Sequence, residues 1–408
     1  VEELCRSLRR ATAEAVAGLV EGRVVILAGN AAGSAAMASF CADAGACAVH
    51  SLALPTDGTG LAHRLAALED ALARPPVAVV DQLDAIDPNR RAVVYAGSFT
   101  AARWLAGRRV LGARSRPQFD AERKDVQDRL MGRGATRAPL TDGGLADIES
   151  RIANLASRGP VVVQGVPARL LAMGTSHTYA VPGSASRAAI GRLLASMVEE
   201  DCVAVRLVPM DRGIPCTYYG FVASRFAVDF GPFEALVYWD PASWRVRAPG
   251  IVRPLLLDAR TEAACRSAVQ AAMRRLHRQV GYSGAFGTDG VVIDTRYVIH
   301  EINPRLCAGF TLLDQMHQPA VPLTAIDLAL RERATAAHPV IHAALDEVAA
   351  ILRTMQRPLL RLWDDEHRSV EARMTAAAGG VSDPGAWVRL VRSAVAAEEN
   401  LVPLMDLA

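Results

Sequence analysis

Two apolar runs, Gly290-Val291-Val292-Ile293 and Tyr297-Val298-Ile299-His300-Glu301-Ile302, flank the three residues Asp294-Thr295-Arg296. A connection that short fits a hairpin turn, so the stretch is constrained to two antiparallel neighbours in one sheet. Pairing them sets Asp289 opposite Glu301. Side chains two apart share a strand face, so Glu301, Asn303 and Arg305 project together, with Pro304 ending the ladder. Three oxygen-bearing side chains, Asp289, Glu301 and Asn303, are expected in one place beside the cation Arg305. Hard oxygen ligands of this kind suit Mg2+, which keeps waters and takes its other ligands from substrate phosphates. Taken alone, a hairpin with an acidic turn and a polar strand end is more often structural than catalytic.

The surrounding pattern extends the α/β reading. Val269, Met273, Leu276 and Val280 recur at helical spacing and predict one buried helix face before the hairpin. Gly281-Tyr282-Ser283-Gly284-Ala285-Phe286-Gly287 then gives a glycine-rich entry to the first strand. At the other end of the chain, a helix from Glu2 to about Leu19 precedes the buried strand Val24–Ala28 and the small-residue turn Gly29–Ser34, the start of a Rossmann-like unit. That turn lacks the three-glycine dinucleotide fingerprint, and the chain has no Walker A motif, which weakens an oxidoreductase reading. Strands at Val77–Val80 and Ala92–Tyr95 are expected to alternate with helices at Leu61–Leu72 and Thr100–Ala106, making residues 1–117 a parallel-sheet domain.

Composition narrows the class. With 408 residues and 51% hydrophobic content, the chain can build two or three domains with sizeable cores. A net charge of +2 and no basic stripe argue against nucleic acid as a partner. No apolar run approaches a membrane span, and the first residues do not read as a signal peptide, so a cytoplasmic location is expected. Seven scattered cysteines without a Cys-x-x-Cys pair suggest neither a zinc site nor a disulfide framework, and Cys307 is expected to pack rather than react. Of the forty-five Lys and Arg residues, Lys124 alone is lysine. A tight phosphate site can demand a compact ammonium that the planar guanidinium cannot replace.

Glu301-Ile302-Asn303-Pro304-Arg305, with an acid twelve residues upstream, resembles the metal and phosphate signature of the ATP-grasp ligases, the superfamily of D-alanine:D-alanine ligase, biotin carboxylase and glutathione synthetase. The resemblance covers about residues 118–313. It implies an α/β (α+β) chain with an ATP-grasp fold: a pre-ATP-grasp domain at 1–117, a small lobe at 118–235, a large lobe with the metal site at 236–335, and a helical C-terminal extension at 336–408. Helices are expected at Ile341–Met355, Leu359–Met374 and Gly385–Glu399 of that extension; dimerisation and covering the substrate cleft are both open to it.

The amphipathic helix Asp120–Leu130, followed by Gly134–Pro139, resembles the family segment whose lysine reaches the nucleotide phosphates, a role that would fall to Lys124. Most relatives end the strand at Pro160–Gln164 in a phosphate-binding lysine; this chain has Gln164 there, so Arg169 or another cation compensates or nucleotide binding is weakened. Gly174, Thr175 and Ser176 resemble the flexible loop that closes over the phosphates, with His177 following. Arg206, Leu207 and Val208 lie on the strand whose backbone reads adenine in the family. ATP and Mg2+ are the implied cofactors. Carboxylate activation as an acyl phosphate and its capture by an amine is the implied reaction, catalysed through Lys124 and Arg305, with a small-molecule carboxylate and an amino-acid or peptide amine as partners. In general layout the chain looks most like the pheganomycin-type peptide ligases of natural-product (antibiotic) biosynthesis. The alternative is an ATP-binding module or pseudo-ligase without turnover.

Overall fold

The computed structural model describes residues 2–29, 34–55, 61–97, 100–131, 136–141, 144–168, 177–310, 323–332, 338–354, 358–363, 368–378, 383–399 and 401–404. Within them, the first layer is a five-stranded sheet of β1 (Val24–Ala28), β2 (Ala48–Leu52), β3 (Val93–Tyr95), β4 (Trp104–Leu105) and β5 (Arg108–Leu111), in the order β2-β1-β3-β5-β4. All neighbours are parallel except the β4–β5 pair. The period of two explains the continuous apolar run of β1. Val25 and Leu27 face Val16, Val20 and Phe40, whereas Ile26 and Ala28 face Leu68, Leu72 and Leu83.

Two local expectations fail in this layer. Residues Val77–Val80, expected as a strand, begin a helix, Val77–Ile86, with Pro76 at its N-cap. A four-residue apolar run has no period of its own, and the wider window decides: Val79 and Leu83 make one buried helical face while Val77 is 75% exposed. Thr100–Ala106, expected as a helix, is an extended segment ending in β4, because Ala106 and Gly107 both take positive φ and turn the chain back into β5.

A four-stranded antiparallel sheet follows, formed by β6 (Thr136–Pro139), β7 (Val161–Pro167), β8 (Thr178–Val181) and β9 (Cys202–Pro209) in the order β6-β9-β7-β8. Helices Leu145–Ala156 and Arg187–Glu199 cover one of its faces, burying Ile148, Ile152, Ile190 and Leu194 against Val161, Val163, Val205 and Leu207. The other face is left to a different partner.

That partner is a seven-stranded antiparallel sheet of β10 (Ile214–Ala223), β11 (Phe226–Trp239), β12 (Val246–Arg253), β13 (Gly284–Ile293), β14 (Arg296–Asn303), β15 (Leu359–Leu362) and β16 (Val402–Pro403). The path runs β14-β13-β10-β11-β12-β15, and β16 pairs with β11. Residue 235, where the lobes were expected to divide, lies inside β11. Helix Ala259–Val280 covers one face through Cys265, Val269, Met273 and Leu276, as its spacing predicts. The opposite face packs Phe221, Phe230 and Phe233 on helices Leu323–Arg331 and His338–Thr354, in a core shared with Val16, Val25 and Leu27 of the first layer.

The segment from 336 onward is not purely helical. Leu359–Leu362, expected inside a helix, is the edge strand β15 because Leu360 and Leu362 alternate into one core while the half-buried Leu359 and Arg361 take the opposite face, and a helix is described again at Arg368–Ala378. Helix Pro384–Glu399 then buries Trp387, Val388 and Val391 over Leu236, Tyr238 and Val252. The two sheets also touch through the connection from β11 to β12. Trp239 Nε1 donates to Ala180 O at 3.0 Å, Ala180 N donates to Trp244 O at 2.9 Å, and Arg245 Nη2 donates to Tyr179 Oη and Glu200 Oε1, both at 2.9 Å. Among the described residues no helix is long and apolar enough to cross a membrane.

Candidate active site

Asp289 lies directly across from Glu301 as expected, although the turn is one residue shorter than expected, with Arg296 paired to Ile293 as part of β14. A bulge follows, since Gly290 pairs with Ile299 and leaves His300 as the additional residue, with its Nε2 2.8 Å from Asp211 Oδ2. Position 290 must be glycine: a Cβ there would lie 2.2 Å from Val298 O. The bulge locally breaks the pairing right beside the acid pair.

The outer edge of β14 is held by a helix rather than by another strand. In helix Lys124–Met131, Gln127 Nε2 donates to Ile302 O at 2.9 Å and Gln127 Oε1 accepts from Ile302 N at 3.1 Å, so one side-chain amide satisfies the strand as a neighbouring peptide would. Lys124 lies one turn earlier on the same face. Its ammonium is buried and donates to Thr178 Oγ1 of β8 at 3.2 Å. Burial pushes the Lys124 pKa down, and Glu301 pulls it back up. The helix that braces β14 through Gln127 thus also carries Lys124 to the small sheet.

Asp289 and Glu301 are both pushed above the ordinary carboxylate range, first by burial; Asp289 raises Glu301 further, while Lys124 and Arg305 act in the opposite sense on each. Two half-buried carboxylates that resist joint ionisation fit a hard divalent cation, whose charge would relieve both. Among the described residues no group of three or more His, Cys, Asp or Glu gathers to hold a metal, so the hairpin offers two carboxylates and the Asn303 amide. That amide is turned away from the expected ligand role: Nδ2 donates to Asp289 Oδ2 at 2.8 Å and Oδ1 accepts from Arg305 Nη2 at 3.2 Å. Presenting its oxygen beside Asp289 requires the amide to rotate.

Arg305 is buried and already paired, its Nε donating to Glu122 Oε2 at 3.0 Å. Burial, the largest single influence, would lower its pKa, but Glu122, Cys307 and Glu301 together outweigh it and the net direction is upward. Glu122 also binds Arg114, a fully buried side chain lying against the Phe119 ring. Burial would raise Glu122, and the two arginines instead hold it below the usual carboxylate range. Glu122, Gln127 and Arg114 are site residues that sequence reasoning missed; the one available signal was the i, i+3 spacing of Lys124 and Gln127.

The remaining expected residues divide. Gln164 Oε1 accepts from Arg206 Nη1 at 2.5 Å, and Gln164 Nε2 donates to Thr178 Oγ1 at 3.5 Å, which places both Gln164 and Arg206 beside Lys124. Leu207 points into the small-sheet core, and Val208 lies on the other face. Arg206 and Leu207 are flanked by β6 and β7 on both sides; Val208 pairs with Val162 and has no partner in the described part of β6. Arg169, Gly174, Thr175 and Ser176 lie outside the described residues. His177 follows them and sits 2.9 Å from Glu200 Oε2. The Cys307 thiol is pushed up to about 12, by burial first, and so packs as an unreactive group. Tyr218 and Tyr219 are core residues.

Neither a protein-family model nor a curated protein sequence matches this chain. Similar solved structures include an L-amino acid ligase from Bacillus licheniformis, 12% identical, with a TM-score of 0.49 over 76% of this chain and 74% of that one. N5-carboxyaminoimidazole synthase from Aspergillus clavatus, solved with ADP and 5-aminoimidazole ribonucleotide, also gives 12% identity and a TM-score of 0.49, over 76% and 77%. Phosphoribosylamine–glycine ligase from Thermotoga maritima gives 15% and 0.46, over 72% of each chain. At these levels of similarity the chemistry rests on the residues of the site themselves.

Proposed function

We propose that the chain is an ATP-grasp ligase, which uses ATP and Mg2+ to join a carboxylate to an amine. The observation that carries this reading is the convergence of the lone lysine with the hairpin acids. Lys124 reaches the small sheet at Thr178 while its field is coupled to Glu301 of the large sheet, so a polyphosphate lying between the sheets would meet both. Asp289 and Glu301 would hold the metal, joined by Asn303 once its amide turns over. Bound there, Mg2+ supplies charge neutralisation at the β- and γ-phosphate oxygens.

The residues themselves position and neutralise. Lys124 offers a point charge to phosphate oxygens. Arg305, fixed by Glu122, brings its positive charge to the transferred phosphoryl group. A substrate carboxylate oxygen attacks the γ-phosphorus, the bond to the bridging β-oxygen breaks, and ADP departs. The amine then attacks the acyl carbon, phosphate leaves, and the nitrogen gives up a proton to form the amide.

The finer reading is an amino-acid or peptide ligase of the pheganomycin type, acting in natural-product biosynthesis on small-molecule acids and amines. Hydroxylamine supplied with ATP, Mg2+ and the correct acid should trap a hydroxamate, and Glu301→Ala should reduce its formation to background. Undiminished hydroxamate from Glu301→Ala would refute the mechanism. A second reading, a nucleotide-binding module without turnover, is favoured by one observation, the neutral side chain at Gln164. ATP binding in calorimetry without ADP release across a broad acid and amine panel would select it.

A further inference from the structure

The small sheet has one face packed on helices Leu145–Ala156 and Arg187–Glu199 and the other approached by helix Lys124–Met131, and the alternation of side chains decides what that second face carries. On β7, β8 and β9, Val161, Val163, Tyr179, Val181, Val205 and Leu207 enter the helix-side core. Gln164, Thr178 and Arg206 therefore project from the opposite face, where Lys124 arrives. This is the face on which a bound polyphosphate would lie if the ligase reading holds.

On that face Gln164 and Arg206 are direct cross-strand partners. The arginine is held from a second side by Asp128, one turn beyond Lys124 on its helix: Nε lies 2.9 Å from Asp128 Oδ2, and Nη2 lies 2.6 Å from Oδ1. Both residues are buried, with Arg206 3% exposed and Asp128 3% exposed. A guanidinium has five N–H groups. Asp128 and the Gln164 oxygen engage its three nitrogens, which leaves one N–H on each Nη for another acceptor.

The chemistry of the glutamine matters as much as that of the arginine. A glutamate at 164 would orient the guanidinium and also cancel its charge. A glutamine orients it and leaves the charge in place. Asp128 is shared between Arg206 and Arg137, the cross-strand partner of Arg206 on β6, while Lys124 on the same face feels the carboxylate of Glu301.

We propose, resting on the ATP-dependent reading above, that Arg206 provides the second phosphate-binding cation of the site, its charge transposed across the β7–β9 pair from position 164 and its orientation fixed by Asp128 and Gln164. Asp128 is then a positioning residue, and the ligand class is a nucleoside di- or triphosphate. The arrangement accounts for a neutral residue at 164 without loss of charge on the face.

Calorimetry with ADP–Mg2+, with a non-hydrolysable ATP analogue and Mg2+, and with AMP tests this on the full chain. Arg206→Gln should weaken the di- and triphosphate by about tenfold to a hundredfold, the range for losing a hydrogen bond to a charged group, with AMP much less affected. The transposed double variant Gln164→Lys/Arg206→Gln should recover most of that loss, and thermal unfolding should show both variants folded. Wild-type ADP and ATP binding retained in Arg206→Gln would overturn the proposal and leave the ligase reading intact, as would equal losses for AMP and ATP or no recovery in the double variant. A wild-type chain that binds no adenine nucleotide would overturn both.

Discussion

Asp289 and Glu301 carry opposite demands in the free and loaded protein. Both carboxyls are raised by burial, and such a group favours the fold while protonated and loses that contribution as the pH rises through its folded pKa. In the metal-free protein the stability of the native state therefore falls as the pH rises toward about 8. Asp289→Asn, which keeps an acceptor for the Asn303 amide, should raise the melting temperature there by roughly one to a few degrees. The gain should shrink as the pH is lowered into the ordinary carboxylate range, where the wild-type acid is protonated. Thermal unfolding across that pH window measures it, and a gain that persists unchanged in acid would contradict the assigned cause. The same substitution should weaken Mg2+-dependent nucleotide binding, the exchange of function for stability expected where like charges are held together.

At the level of elements, the edge strand β14 owes its outer boundary to one amide side chain. Gln127→Ala leaves the buried N–H and C=O of Ile302 without partners and should cost about 1–3 kcal/mol. Hydrogen exchange at the Ile302 amide should accelerate, and unchanged protection would show that another group covers the edge. The hairpin itself was readable because a short turn joins two apolar runs, and the helix Ala259–Val280 because its apolar spacing runs over several turns, whereas the bulge at His300 that carries the register from Gly290–Ile299 to Asp289–Glu301 has no such local signal. Val77–Val80 was not readable, since four apolar residues suit a strand or a helix equally and Pro76 sets the choice. Glu122, Gln127 and Asp128 escaped for a different reason. Their partners Arg305, Ile302 and Arg206 are distant in sequence, and no local spacing encodes a pairing that only the folded chain creates. Lys124 was found through its rarity, which is compositional information, while Gln164 needed the neighbouring strand before its role became visible.

Across the whole molecule, the first layer and the large sheet share one core, and the C-terminal segment completes the same sheet. β15 and helix Pro384–Glu399 cover Leu236, Tyr238 and Val252. Removing residues from 359 onward should therefore uncover a continuous apolar face and an open sheet edge, detectable as increased binding of a hydrophobic dye and as self-association. A shortened chain that stays monomeric without binding dye would show the tail to be dispensable to the core.

The contact between the β11–β12 connection and β8 has a geometric consequence. It grips the small sheet along one border strand, with β7, β9 and β6 successively farther away. Any parting of the two sheets about that contact is a swing on a fixed spine. Neighbouring strands lie about 4.8 Å apart, so β6 stands roughly three strand widths from the spine and β7 only one. The arc swept by β6 is then about three times that of β7, and Thr178, on the gripped strand, moves least.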